Sequence, residues 1–487
     1  MEKCEPIFRG KTFDDFLLPP CFGLLEDRQD PERKLLRMPL TQHIMISWPI
    51  IAANMDTVTE EEMMKKMSEE GAFAFLHRNC SIEQQVKMLK AVKKHRSFVI
   101  ENPLKLHRNA TIAEAKIMIK KSSISGILVE ESANSGILAG VLSRRDIPSE
   151  SSSDDLQIGE TMTPFEKLVL GSPNISIQEA EKLMHDSRVE KLPLVDEKRK
   201  IHGLITMKDV REAKQKPYSS KDKKGHLLAG AAIGATKDYL ERASELIGHG
   251  VNCILIDIAH FHSIVGQKAV ENFRAEFGDF ELVCGNVATY EGAKFALELG
   301  ANAVKVGIGP GRGCRTRLET GFGVPQLQAI REAYVAVGGQ IPIIADGGIE
   351  QDGQIFLAIA AGASTVMLGS MLAGTDESPG IVIEDPKDKQ KIKIYRGMTS
   401  PQAVLNRFDD EDDIMDALKT PAEGQMKEVP YVGSVSRILE RIAGHLISSI
   451  SFSGQINLYS AHKKIANNAE KYFNKLSPAA QKESFER

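Results

Sequence analysis

The sequence predicts an α/β protein, a (β/α)8 or TIM barrel interrupted by a smaller domain, and three observations predict it. Eight short aliphatic runs alternate with amphipathic stretches of helix length. The runs are apolar at nearly every position, as parallel strands covered on both faces require. One region breaks the rhythm and carries an internal repeat instead.

The eight strands are expected at 48–54 (WPIIAAN), 71–76 (GAFAFL), 226–234 (HLLAGAAIG), 252–257 (NCILID), 280–286 (FELVCGN), 302–307 (NAVKVG), 341–346 (IPIIAD) and 364–369 (STVMLG). Between them lie helix patterns such as TEEEMMKKMSEE, YEGAKFALELG and GVPQLQAIREAYVAVGG. In such a barrel chemistry gathers where strands end, which points to Asp56, His77, Asp257, Asn286, the segment 307–314, Asp346 and Ser370. The tail NLYSAHKKIANNAEKYFNKL is expected to be a surface helix.

The interruption falls at 97–220, so the barrel is assigned to 1–96 and 221–487. The first copy of the repeat runs TIAEAKIMIKKSSISGILVE and closes with GVLSRRD. The second runs SIQEAEKLMHDSRVEKLPLVD and closes with GLITMKD, and the polar stretch PSESSSDDLQIGE joins the two. This pair resembles the tandem CBS (Bateman) domain, a regulatory module for purine nucleotides. The resemblance implies that Asp146 and Asp209, which end the two copies, hold ribose hydroxyls. The alternative is that each caps the helix beginning beside it.

Composition narrows the class. A net charge of -4 gives no basic field for nucleic acid or an anionic membrane surface, and no apolar run reaches the length of a span. The six cysteines (4, 21, 80, 253, 284, 314) form no close pair and no C-x-x-C, which argues against a disulfide framework and a zinc site. His77, His260 and His262 lack a third ligand at matching spacing. A cytoplasmic location is the expectation.

The segment GPGRGCRTR sets Cys314 in a glycine-rich turn beside Arg312, Arg315 and Arg317. Glycines expose backbone N–H groups that can line an anion. A free thiol is only about 3% ionised at neutral pH, and neighbouring cations raise that fraction. Cys253 and Cys284, inside strands, read as buried apolar fillers.

TFDDFLL, NMDTVTE, DIAHFHS, CGNVAT, VGIGPGRGC, ADGGI, MLGSMLAGTDESPG and YRGM occur in order, each placed by its spacing after a strand. With these motifs the chain resembles the IMP dehydrogenase/GMP reductase family over nearly its whole length. The resemblance implies that Cys314 attacks purine C2 and that Thr316 shares in proton transfer there. It implies that Asp346 takes the substrate ribose, that Gly348, Gly369, Ser370 and Tyr395 surround the phosphate, and that Gly397 and Met398 border the base. Asn54, Gly313 and Gly424 complete the substrate pocket. Asp257, Ser263 and Asn286 fall where the family meets its nicotinamide cofactor. The carbonyls of Gly309, Gly311 and Cys314 match those that bind potassium in many relatives. Family members form homotetramers, which CBS pairs can join into octamers. Two positions depart from the pattern: Arg312 replaces a phosphate-contacting serine, and Phe261 replaces a glycine, which would reshape the cofactor pocket.

The two family activities differ in how the cysteine adduct is resolved. The dehydrogenase (IMP and NAD) hydrolyses it with an Arg-Tyr pair on a flap, whereas the reductase (GMP and NADPH) must avoid water. Gap-free alignment of the flap, 397–430, puts Glu411 and Asp412 at the Arg-Tyr positions, and Arg407 would serve only after a slip of one turn. With Asn54 and EGQMKEVPY, this points to a GMP reductase with Glu423 as general acid beside Thr316. An IMP dehydrogenase is the alternative. A catalytically silent purine-nucleotide sensor is the alternative from a different class.

Overall fold

A computed structural model describes residues 3–26, 34–94, 99–100, 102–122, 124–147, 154–222, 225–384, 389–405 and 421–485. All eight expected strands form. They are β1 (Ile50–Ala52), β2 (Phe73–Leu76), β3 (Gly230–Ile233), β4 (Cys253–Asp257), β5 (Leu282–Val287), β6 (Ala303–Val306), β7 (Ile343–Asp346) and β8 (Thr365–Leu368). They close in chain order into one parallel barrel, β8 pairing with β1 and β2 with β3.

The chain divides into two compact units. One holds Met1–His95, Tyr218–Asp222 and Leu227–Arg487, and the other Arg96–Pro217 with Lys223–His226. The barrel therefore takes back the chain slightly earlier than position 221. The reason is local: Ser219 Oγ donates to Glu69 O at 2.9 Å and Ser220 N to Ser68 O at 2.8 Å.

Alternation along the strands fills the barrel. Phe73, Phe75, Cys253, Leu255, Val283, Ala303, Ile344 and Met367 form its interior cluster. Odd-numbered residues of β4, of β6 and of β5 up to the register shift after Gly285 point inward, so the next inward positions toward the strand ends are Asp257, Gly285 and Lys305; on β7, Asp346 follows Ile344. The outward residues pack under helices whose starts are capped by polar side chains, as at Ser81, Ser263 and Thr289, whose oxygens accept backbone N–H groups. Cys253 and Cys284 are fully buried, and burial pushes the Cys284 thiol up to about 12.

The second unit contains both repeats. The first has a helix, Ile112–Ser122, and strands Gly126–Glu130 and Leu138–Ser143. The second has a helix, Ile177–Asp186, and strands Lys191–Val195 and Ile201–Thr206. Asp146 Oδ2 accepts Ser143 N at 2.7 Å, and Asp209 Oδ2 accepts Thr206 N at 3.0 Å and its hydroxyl at 2.5 Å. Both aspartates are occupied as caps.

The C-terminal tail is not a surface helix. It breaks into Leu458–Ala466 and Ala469–Tyr472, burying Leu458, Ala461 and Ile465, and Phe473 packs edge-on against Phe8 and Phe16. Arg331, 2% exposed, ties both termini to the barrel: its Nη1 donates to Ala361 O at 2.8 Å and Ala466 O at 3.0 Å, and it pairs with Glu5. Arg331→Ala strands these carbonyls and should cost about 3 kcal/mol, read as a lower urea midpoint.

Candidate active site

The C-terminal ends of the strands open on a cleft of about 270 Å³, lined by residues of β4 to β8 and by the loops after these strands and after β1 and β2. On its floor, Lys305 Nζ lies 2.9 Å from Asp257 Oδ1 and 2.6 Å from Asp346 Oδ2. The contact to Asp257 crosses β5, and it exists because Gly285 stands between them: a Cβ there would lie 2.6 Å from Lys305 Cβ. Asn54 donates to Asp257 Oδ2 at 2.8 Å and Asn286 to Asp346 Oδ2 at 2.9 Å. Burial pushes the Asp257 carboxyl up, but Lys305 and then Arg78 outweigh it and hold the group below the ordinary carboxylate range. Burial likewise works against the Lys305 ammonium, and the two carboxylates more than offset it.

The wall of the cleft carries a second chain of contacts. Cys314 Sγ donates to Thr316 Oγ1 at 3.1 Å, and Thr316 Oγ1 donates to Glu423 Oε2 at 2.7 Å. Backbone bonds fix this alignment: Arg315 N to Glu423 O at 2.7 Å, Gln425 N to Gly313 O at 3.0 Å and Gly397 N to Gln425 O at 3.0 Å. Three chain segments meet so closely that a Cβ on Gly397 would lie 2.5 Å from Gly313 O.

Of the residues expected here, Arg312, Gly313, Gly348, Gly369, Ser370, Tyr395, Met398, Gly309 and Gly311 also line the cleft, with Asn54, Asp257, Asn286 and Asp346. Gly347 and Gly348 adopt positive φ (87° and 77°), and a Cβ on Gly369 would lie 2.9 Å from the Tyr395 hydroxyl. This glycine-walled space fits an anion. Burial pushes the Tyr395 phenol upward, keeping it a neutral donor.

Several expected positions fall elsewhere. Gly424 stands behind the lining, where it pairs with Cys314. Ser263 caps helix Ile264–Phe277, accepting Gly266 N at 3.2 Å, and does not line the cleft. Phe261 is fully buried, packs against Phe295 and does not itself line the cleft. Two of the arginines around Cys314 hold the loop: Arg315 pairs with Glu319 at 2.6 Å, and Arg317 lies between Gly309 and Gly323 and donates to Val324 O. Glu411, Asp412 and Arg407 lie outside the described residues. Among the described residues no group of three or more His, Cys, Asp or Glu side chains can hold a metal, and no helix is long and apolar enough to cross a membrane.

Lys305 and Arg78 were not among the candidates read from sequence. A lysine inside an aliphatic strand, at the parity of Ala303, was the available signal for the first.

A thiol hydrogen-bonded in line with a hydroxyl and a carboxylate, beside a glycine-walled space at the strand ends, gives a barrel with the cleft of an enzyme. The domain profile described as IMP dehydrogenase / GMP reductase matches residues 10–486, and the chain belongs to that family of purine nucleotide oxidoreductases, which use a nicotinamide cofactor. It is 40% identical to an inosine-5'-monophosphate dehydrogenase of Nitrosopumilus maritimus, covering 98% of this chain and 97% of the relative. It is 39% identical to one of Aquifex aeolicus, covering 94% and 93%. Among solved structures, a cysteine-to-alanine variant of GMP reductase from Trypanosoma brucei in complex with guanosine 5'-monophosphate superposes with a TM-score of 0.80 at 35% identity, covering 98% and 97%. The GMP reductase of that organism in complex with guanosine 5'-triphosphate gives 0.71 at 31%, covering 96% and 98%.

Gly397→Ala should push the three segments apart and lower turnover of a purine nucleotide by at least about tenfold in steady-state assays, which corresponds to about 1.4 kcal/mol of lost alignment.

Proposed function

We propose that the protein is a GMP reductase, converting GMP to IMP and ammonia with NADPH. The observation that carries this reading is the hydrogen-bonded line from Cys314 through Thr316 to Glu423, taken with carboxylates at 411 and 412, where hydrolysis would need a basic pair. The thiol proton passes through Thr316 to the Glu423 carboxylate. The sulfur bonds to purine C2, and the C2–N bond to the exocyclic amine breaks. Glu423 returns the proton through Thr316 to the departing group, which leaves as ammonia. A nicotinamide held on the Asn286 and Asp257 side would supply the hydride that C2 takes up as the C2–S bond breaks, and a solvent proton restores the thiol.

Asp346, with Oδ1 unpartnered among the described residues, faces the cleft as acceptor for ribose hydroxyls. Ser370, Gly348, Gly369 and Tyr395 receive the phosphate, with Arg312 at the rim. Asn286 and Asp257 face the cofactor side. Potassium is assigned to the carbonyls of Gly309, Gly311 and Cys314, of which Gly311 O already accepts Cys314 N at 2.9 Å.

A cleft of about 430 Å³ in the second unit, bordered by Arg144, Arg145, Lys167, Arg188 and Lys191, supports a tandem CBS pair that binds an anionic purine nucleotide; the resemblance alone carries the reading of a cytoplasmic homotetramer or octamer. The dehydrogenase reading is favoured by one observation, the 40% identity to a protein of that name.

Loss of the near-ultraviolet absorbance of the reduced cofactor on mixing with GMP and NADPH is the expected result. A gain with IMP and NAD would replace this reading with the dehydrogenase, and silence in both with the sensor. Glu423→Gln should lower GMP turnover by about 100-fold while GMP affinity stays within about threefold of native.

A further inference from the structure

We propose that Lys305 is a positioning residue that serves both halves of the cleft, its single ammonium fixing Asp346 for the nucleotide and Asp257 for the cofactor. Lys305 is 3% exposed, and its Nζ contacts one oxygen of each carboxylate. The second oxygen of Asp257 takes Asn54, and Asn286 shares Asp346 Oδ2 with the ammonium. One cation therefore orients two anions on strands that are not neighbours, β4 and β7. Among the described residues, only the nucleotide-side carboxylate keeps an oxygen without a partner.

Without the ammonium, two carboxylates would share the floor, and mutual repulsion favours protonating one of them. Among the described residues, Arg78 also acts on Asp257, and Tyr395 stands within reach of Asp346, Cys314 and Arg312. None lies between the carboxylates. A protonated Asp346 is a poorer acceptor for two hydroxyls, so loss of Lys305 should make nucleotide affinity rise with pH.

The inference rests on the purine-nucleotide reading of the cleft, and its test uses equilibrium binding of both GMP and IMP, which needs no turnover. A failure to reduce GMP would thus remove the reductase reading without touching this one. Lys305→Met should weaken binding of both nucleotides by at least about tenfold at neutral pH. The ratio of variant to native affinity should climb toward one as pH rises from about 6 to about 8.5. In Lys305→Met/Asp257→Asn one carboxylate is left without a charged neighbour, and nucleotide affinity should return to within about threefold of native, while equilibrium binding of NADPH, weakened in the single variant, stays weakened. A role in structure alone would produce neither the pH dependence nor the recovery. If Lys305→Met does not fold, Lys305→Gln, a second neutral replacement, carries the same expectations. Native-like affinity at every pH, or a double variant no better than the single, would overturn the proposal.

Discussion

An ammonium group in the mouth of an apolar barrel has to be matched by anions on the spot, because burying it alone would cost several kcal/mol. Here two strand-end carboxylates meet it, and the geometry of the cleft follows from that match. Asp257 and Asp346 are drawn toward the barrel axis from separate strands, and each brings an asparagine with it. A glycine at 285 is the structural condition, since any side chain there would close the gap that Lys305 and Asp257 reach across. The barrel's packed lower layers, with Phe73, Phe75 and Leu255, supply the rigid base on which this polar layer rests.

The wall of the cleft is built on a different principle. Cys314, Thr316 and Glu423 come from two loops far apart in sequence, and backbone hydrogen bonds bring them together rather than side-chain packing. Such an arrangement holds a thiol, a hydroxyl and a carboxylate to hydrogen-bond distance while leaving their reactive atoms facing open space. Two of the neighbouring arginines contribute by fixing the loop. Arg317, threaded between two glycines, is a brace for the turn that carries the cysteine.

Much of this was legible in the chain. The eight aliphatic runs gave the barrel, because burial on both faces removes the usual alternation, and Cys314 stood out because glycine and charge flanked it. Three candidate residues have a second use in the fold. Ser263, Asp146 and Asp209 carry the chemistry of ligand binding, yet each accepts a backbone N–H at the start of a helix or turn, a competing use that a motif does not reveal. Phe261 looked like an obstruction, and the fold turned it into the core. The tail looked superficial because its polar residues outnumber its apolar ones, but the few apolar ones lie on one side and close the barrel's flank.

Local pattern by itself determined the strands and their order, since these depend on periodicity and on neighbours a few residues away. Tertiary structure alone decided which charges share the floor of the cleft and which acid reaches the thiol. Lys305 lies 41 residues from Asp346 and Thr316 lies 107 from Glu423, and pairings over such separations are set by barrel closure and strand register, which no local pattern encodes.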